Sequence, residues 1–153
     1  MSEIRINASI DVAAPAEVVW SLLSDYPRDS EWRTGVLSMT AEPPGPVDVG
    51  TVTVEELRLG GQTYRNVGEV IAVDPGRALT WRTTDGADAD GRRTVEPLPF
   101  GGCRVTLELR VRPTNAIEHL LRPVFARMLR RNLGHDLHRL AALAADTPTW
   151  VRA

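Results

Sequence analysis

The chain opens on a strict alternation of apolar and polar positions. Ile4, Ile6, Ala8, Ile10 and Val12 alternate with Arg5, Asn7, Ser9 and Asp11. A period of two puts the apolar set on one face, so this segment reads as a half-buried strand. Ala13-Ala14-Pro15 breaks it. Pro15 suits the first position of a helix, where its missing N–H costs nothing, and Glu17 favours the positive helix start. Val18, Val19, Leu22 and Leu23 form the inner stripe, with Trp20 beside it. Tyr26-Pro27 ends this helix, and Arg28 to Trp32 has room for one further turn.

From Val36 the pattern changes. Val36 to Ala41 reads as a strand, and Pro43-Pro44-Gly45-Pro46 as a loop that cannot pair. Thr51 to Leu59 is β-branched and alternating, Gly60-Gly61 is a two-residue hairpin turn, and Gln62 to Val73 returns as a long strand. Gly68 marks a candidate bulge; a bulge there would flip the register and leave the parity of Tyr64 open. Asp74-Pro75-Gly76 is a turn, Ala78 to Thr84 a strand, and Asp85 to Gly91 a polar, mobile loop. Arg92 to Leu98 and Cys103 to Arg112 then pair across Pro99 to Gly102.

Asn115 to Ala145 is helical in pattern. Ile117, Leu120, Leu121, Val124, Phe125, Met128, Leu129, Leu133, Leu137, Leu140 and Leu143 recur at helical spacing. Pro123 predicts a short helix ending near Leu121 and a restart. The second part is long enough, at 1.5 Å per residue, to cross the whole sheet. One domain over residues 1–147 is expected, followed by a loose tail over 148–153.

Composition removes several classes of function. All 18 basic residues are arginine, as codon bias in a GC-rich genome would produce, so no lysine can form a Schiff base. Net charge is −2, which gives no electrostatic case for a nucleic-acid partner. The single Cys103 excludes internal disulfides and thiolate-rich zinc sites and reads as a small buried hydrophobe. Met1 to Val12 has no signal-peptide pattern, and no apolar run approaches a bilayer span. The expectation is a cytoplasmic protein without integral membrane association, a monomer or homodimer, with no cofactor and no metal.

The order is strand, one or two short helices, six strands, long helix. Short turns make neighbouring strands antiparallel. A strongly curved sheet cannot touch a straight helix along its whole length, so a gap beside the helix is expected, and small ligands occupy such gaps. The strand Ile4 to Val12 running into Ala13 to Trp20, then Asp25-Tyr26-Pro27 with Trp32, then Val70 to Arg82 and the leucine-rich terminal helix, together resemble a known family. It is the SRPBCC, or START-like, superfamily of helix-grip folds, and within it the polyketide cyclase/dehydrase-like group. The resemblance covers nearly all of residues 3 to 145. It implies an α+β helix-grip fold: a curved antiparallel sheet of about seven strands wrapped around a long C-terminal helix. It also implies a cavity that binds lipids, sterols, polyketides or other hydrophobic molecules. Some members cyclise or dehydrate what they bind.

The predicted ligand-binding set is Trp32, Leu57, Tyr64, Trp81, Val95, Leu121, Phe125, Met128 and Asn132. In the family the tryptophan at the place of Trp32 lies near the pocket; the competing role is a plug at the barrel end. Trp81 alternates with Leu79 and Thr83, and core packing competes with ligand contact. Phe125, Met128 and Leu121 share the sheet-facing side of the helix, as pocket wall or plain core. Asn132 could orient a ligand carbonyl or be solvated, and Gly134 could admit a close approach to the sheet. Tyr64, as a general acid or hydrogen-bond donor if it faces inward, and Arg82 are the catalytic candidates for the polar groups that would move protons in a cyclase.

Other clusters carry less. His135 and His138 share one side of the helix without a third ligand at matching spacing, so no metal site follows, and His119 adds none. Adjacent Glu55 and Glu56 face opposite sides of a strand and cannot cooperate. Arg122, Arg127, Arg130, Arg131 and Arg139 make the terminal helix basic, either as a solvated face or as a contact for acidic lipid headgroups. No nucleophile, base and orienting group come together. The sequence therefore points to a binder of a small hydrophobic molecule, with a polyketide cyclase or dehydratase as the alternative.

Overall fold

The computed structural model describes residues 3–99 and 101–146. Seven strands form one open antiparallel sheet: β1 (Ile4–Val12), β2 (Val36–Glu42), β3 (Val52–Leu59), β4 (Gln62–Asp74), β5 (Ala78–Asp85), β6 (Asp88–Pro97) and β7 (Cys103–Arg112). Their order across the sheet is β1-β7-β6-β5-β4-β3-β2. Helix α1 (Ala16–Leu23), a 3-10 turn over Tyr26–Arg28 and helix α2 (Asp29–Trp32) connect β1 to β2. Helices α3 (Ala116–Leu120) and α4 (Arg122–Ala145) follow β7, with the break at Leu121 and Pro123 at the start of α4. The expected tail over 148–153 lies outside the described residues. None of the described helices is long and apolar enough to cross a membrane.

Local chemistry explains the turns. Gly60 and Gly61 both hold positive φ, 60° and 80°, as a two-residue hairpin loop requires and as side-chain-bearing residues resist. The bulge expected at Gly68 sits beside it instead. Thr84 of β5 is the unpaired residue opposite the Val67–Gly68 step, and Ile71 is skipped in β4. Tyr64, Asn66, Gly68 and Val70 therefore keep one face, which resolves the parity of Tyr64.

The polar loop expected over Asp85 to Gly91 is a correction. Only a tight turn at Gly86-Ala87 separates β5 from β6, which begins at Asp88. Cross-strand ion pairs hold this stretch in the sheet: Asp88 and Asp90 accept from Arg112, at 3.0 and 2.9 Å, and Asp90 accepts from Arg110 at 2.7 Å. Gly91 is required there by contact. A Cβ on it would sit 2.6 Å from the Trp81 ring.

The core has two parts. One joins Val18, Val19, Leu22 and Leu23 of α1 and Trp32 to Val95, Cys103 and Val105 of the sheet and Leu137, Leu140 and Ala144 of α4. The other lies under Tyr26, Val36, Met39, Val70 and Leu79. Each fully buried aliphatic contributes about 1.5–3 kcal/mol. Helix α4 has 24 residues, about 36 Å, and rests chiefly on β1, α1 and α2. Its buried residues, Asp136, Leu137, Leu140 and Ala144, all fall in its second half. The first half contributes no fully buried residue. Gly134 meets nothing within 4 Å of its Cβ position, so it serves no close approach.

Candidate functional site

A cavity of about 200 Å³ fills the space between the sheet and α4. The two-residue period of each strand selects its wall. Thr53, Glu55, Leu57 and Leu59 come from β3, Tyr64, Asn66 and Gly68 from β4, and Trp81 and Thr83 from β5. Ala89 and Arg93 of β6 and Leu107 and Leu109 of β7 continue it. Phe125, Leu129, Asn132, Leu133 and Asp136 of α4 face them. A second depression lies over the sheet surface that carries the exposed Arg5, Asn7, Arg92, Glu108 and Arg110, and mixes polar with apolar lining.

One corner of the cavity is ionic. Asp29 is fully buried and accepts two hydrogen bonds from Arg93, at 3.0 and 2.5 Å. Arg33 Nη1 donates to Asp29 at 3.1 Å and to Glu55 at 2.6 Å. Glu55 also accepts from Asn66 Nδ2 at 3.1 Å, and Asn66 Oδ1 accepts from the Ala87 N–H at 2.9 Å. The Arg93 guanidinium lies 4.1 Å from the Tyr26 ring centre and 5.1 Å from that of Trp32. It donates further to the Leu23 carbonyl at 2.8 Å. Two cations and two anions thus balance.

Beside them, the Thr34 N–H and hydroxyl both donate to Asp136 Oδ1, at 2.7 and 2.6 Å. Oδ2 has no hydrogen-bond partner among the described residues. Burial pushes the Asp136 carboxyl above its ordinary value, against the opposing pull of the Thr34 hydrogen bonds. For Glu55, burial also pushes upward, but the Arg33 charge with the Asn66 and Arg33 hydrogen bonds outweighs it and holds the group low. Burial pushes the Tyr26 phenol up to about 12. The Tyr26 hydroxyl and Trp32 Nε1 are buried donors with no hydrogen-bond partner among the described residues.

Residues 3–145 match the family described as polyketide cyclase/dehydrase and lipid transport. The chain belongs to that family. The START-like helix-grip fold of this polyketide cyclase/dehydrase relative is shared with solved structures. It is similar to the Zhui aromatase/cyclase from Streptomyces sp. R1128, at 16% identity, with 94% of each chain covered and a TM-score of 0.78. It is similar to a protein from Thermus thermophilus, at 21% identity, covering 95% of this chain and 99% of that one, with a TM-score of 0.76. A START superfamily protein from Mycobacterium smegmatis is 16% identical over 92% of this chain and 97% of its own, with a TM-score of 0.74. At these identities the likeness is one of fold. None of the curated proteins matches the chain.

Within this family member, the structure brings together Trp32, Leu57, Tyr64, Trp81, Phe125 and Asn132 on the cavity wall. Three expected wall residues lie elsewhere. Val95 is sealed in the core with Val105 and Cys103. Leu121 sits at the break between α3 and α4, where the change of helix turns it outward, 41% exposed. Met128 packs over the Gly60 turn, its methyl 3.6 Å from where a Cβ there would stand. Arg82 is on the opposite face of β5 from Trp81, exposed and 3.6 Å from Glu69. His119, His135 and His138 are exposed.

The ionic corner was not anticipated. Glu55 does face away from exposed Glu56, but Arg33 supplies the partner that a neighbouring carboxylate could not. Arg93 carried a readable signal: it shares parity with Val95, which any inward reading of β6 turns to the core.

Proposed function

We propose that this chain binds a small, largely apolar molecule in the cavity, with one neutral oxygen acceptor of that molecule turned to the Arg33–Asp136 corner. The observation that carries this reading is the division of the wall: aromatic and aliphatic side chains over most of it, donors gathered at one end. Burial of apolar surface supplies most of the affinity, at about 25 cal/mol per Å² before association costs. Arg33 spends only Nη1 on its carboxylates, and Tyr26 and Trp32 each hold an unused donor. Because Arg33 and Arg93 are already balanced by Asp29 and Glu55, the corner favours a ketone or phenol oxygen over a carboxylate. The volume suits a one- or two-ring molecule.

A second reading is favoured by Asp136. A buried carboxyl with a raised pKa and a spare oxygen is suited to proton transfer. In an intramolecular aldol closure, an enol carbon would bond to a ketone carbon within the same chain. Protonated Asp136 would give its proton to the ketone oxygen, and the enol O–H proton would return to the carboxylate. The neighbouring structures that are aromatase/cyclases make this the enzymatic alternative.

The test is titration with 2-acetonaphthone and its hydrocarbon isostere 2-isopropenylnaphthalene, followed by tryptophan fluorescence. Saturable binding of both is expected, with the ketone favoured by up to about tenfold, one hydrogen bond's worth. Leu129→Trp should abolish binding by filling the cavity, and Tyr26→Phe should shrink the ketone preference. Absence of saturable binding by either compound removes the reading. Turnover of a linear poly-ketone mimic that disappears in a ligand-binding Asp136→Asn variant would favour the enzyme.

A further inference from the structure

We infer that α3 and the first half of α4 form a docking surface for an anionic lipid membrane. Four of the large exposed hydrophobics fall within eight residues of this segment: Ile117 at 69% exposure, Leu120 at 80%, Leu121 at 41% and Val124 at 62%. Ile117 and Leu120 share one side of α3 by their spacing of three, and Leu121 and Val124 follow directly across the break into α4. Scattered exposed aliphatics are ordinary, but a contiguous set marks an interaction surface. None of α3 is buried, so its apolar residues do not serve the core.

The charge beside this patch selects the partner. Arg127 and Arg131 continue the same series from Val124, and Arg130 lies next to them; all three are exposed. None of the three makes an ion pair or hydrogen bond among the described residues. Elsewhere on this surface arginines meet carboxylates, as Arg104 meets Asp11, Arg110 meets Asp90 and Arg112 meets Asp88. Between residues 115 and 131 the only carboxylate is Glu118, and it caps α3 through Asn115 and Thr114. An aliphatic patch bordered by unpaired arginines is the pattern of a helix lying in a membrane interface. The apolar side chains enter the acyl boundary and the guanidiniums reach lipid phosphates.

The position has a consequence for the cavity. Glu118 and Phe125, on the same two helices, are part of the cavity wall. Docking would place that end of the cavity against the bilayer, where an apolar molecule can pass without crossing water.

The test is flotation of the full chain with vesicles of phosphatidylcholine, with and without phosphatidylserine. The chain should float with the phosphatidylserine vesicles, weakly with phosphatidylcholine alone, and less as salt rises. Replacing Arg127, Arg130 and Arg131 together by Gln should weaken binding on the order of 100-fold, since each arginine near an anionic surface contributes about fivefold. Leu120→Ser with Val124→Ser should also abolish it, with an unchanged melting temperature because both side chains are exposed. Equal behaviour toward the two vesicle types, or binding indifferent to these substitutions, overturns the proposal. So does a stable dimer of the unaltered chain that Leu120→Ser converts to monomer, because the patch would then be covered by a second copy. Ligand binding in solution is unaffected by any of these outcomes.

Discussion

Replacing Arg93 by Met should be the most damaging single change at the site, although no ligand need touch it. The substitution keeps a long apolar stem between Tyr26 and Trp32 but removes the fork that holds Asp29 at 3.0 and 2.5 Å. Asp29 is fully buried and would keep only the single 3.1 Å contact from Arg33. Stripping one partner from a buried ion pair costs about 3–5 kcal/mol, because the remaining charge keeps its desolvation penalty. Total stability of a domain is only about 5–15 kcal/mol. At roughly 2–4 °C per kcal/mol for this size, the melting temperature should fall by about 6–20 °C. Urea titration followed by circular dichroism should show a lower midpoint with an unchanged slope. The paired change Asp29→Leu with Arg93→Met removes both charges, and it should be less destabilised than Arg93→Met alone. An Arg93→Met variant within about 1 kcal/mol of the unaltered protein, or strict additivity in the pair, would refute the reasoning.

Two further outcomes follow from single side chains. Asp136 has a folded pKa above the unfolded 3.8, so its stabilising contribution is full below that pH and is lost as pH rises through the folded value. Asp136→Asn keeps an Oδ1 for both Thr34 donors, so its stability relative to the unaltered protein should rise with pH over that window and then level off. Urea midpoints across a pH series would check this, and parallel curves would contradict it. Gly134 lies inside α4 facing open space, so Gly134→Ala should stabilise by about 0.5–1 kcal/mol in thermal melts, and a loss of stability would show that the space is not free.

The elements were legible because their signals are local. Alternation marks β1 and β7, paired positive-φ glycines mark the β3–β4 hairpin, and Pro123 marks the start of α4. The beginning of β6 was not legible, since Asp85-Gly86-Ala87-Asp88-Ala89-Asp90-Gly91 has the composition of a loop. Arg110 and Arg112, some twenty residues away, turn those aspartates into strand residues. The ionic corner fails in the same way. Asp29 and Arg93 are 64 residues apart, and each alone reads as solvated. Burial of a charge is decided by a partner, and spacing along a chain does not reveal partners separated by the whole sheet. Leu121 departs from its expected place for a narrower reason: a helical stripe extrapolated through a proline break loses its phase, whereas Met128 keeps the phase of Phe125 and Asn132 but meets the Gly60 turn.

The two sides of the cavity are built to different standards. The sheet side, α2 and the buried second half of α4 hold their polar groups through at least two contacts each: Arg33 to Asp29 and Glu55, Glu55 to Arg33 and Asn66, Asp136 to both Thr34 donors. Groups fixed in this way are preorganised, which is what recognition of one oxygen on an otherwise featureless ring demands. The opposite wall, Phe125 and Leu129, rides on the half of α4 that contributes no fully buried residue, beyond a short helix that contributes none. Segments with so little buried surface lie at the low-stability end of a fold. Under the proposed function, discrimination would belong to the doubly held corner and admission to the weakly anchored helix. Under the same reading, the lack of burial that leaves Ile117, Leu120 and Val124 exposed would let that wall yield to an entering molecule.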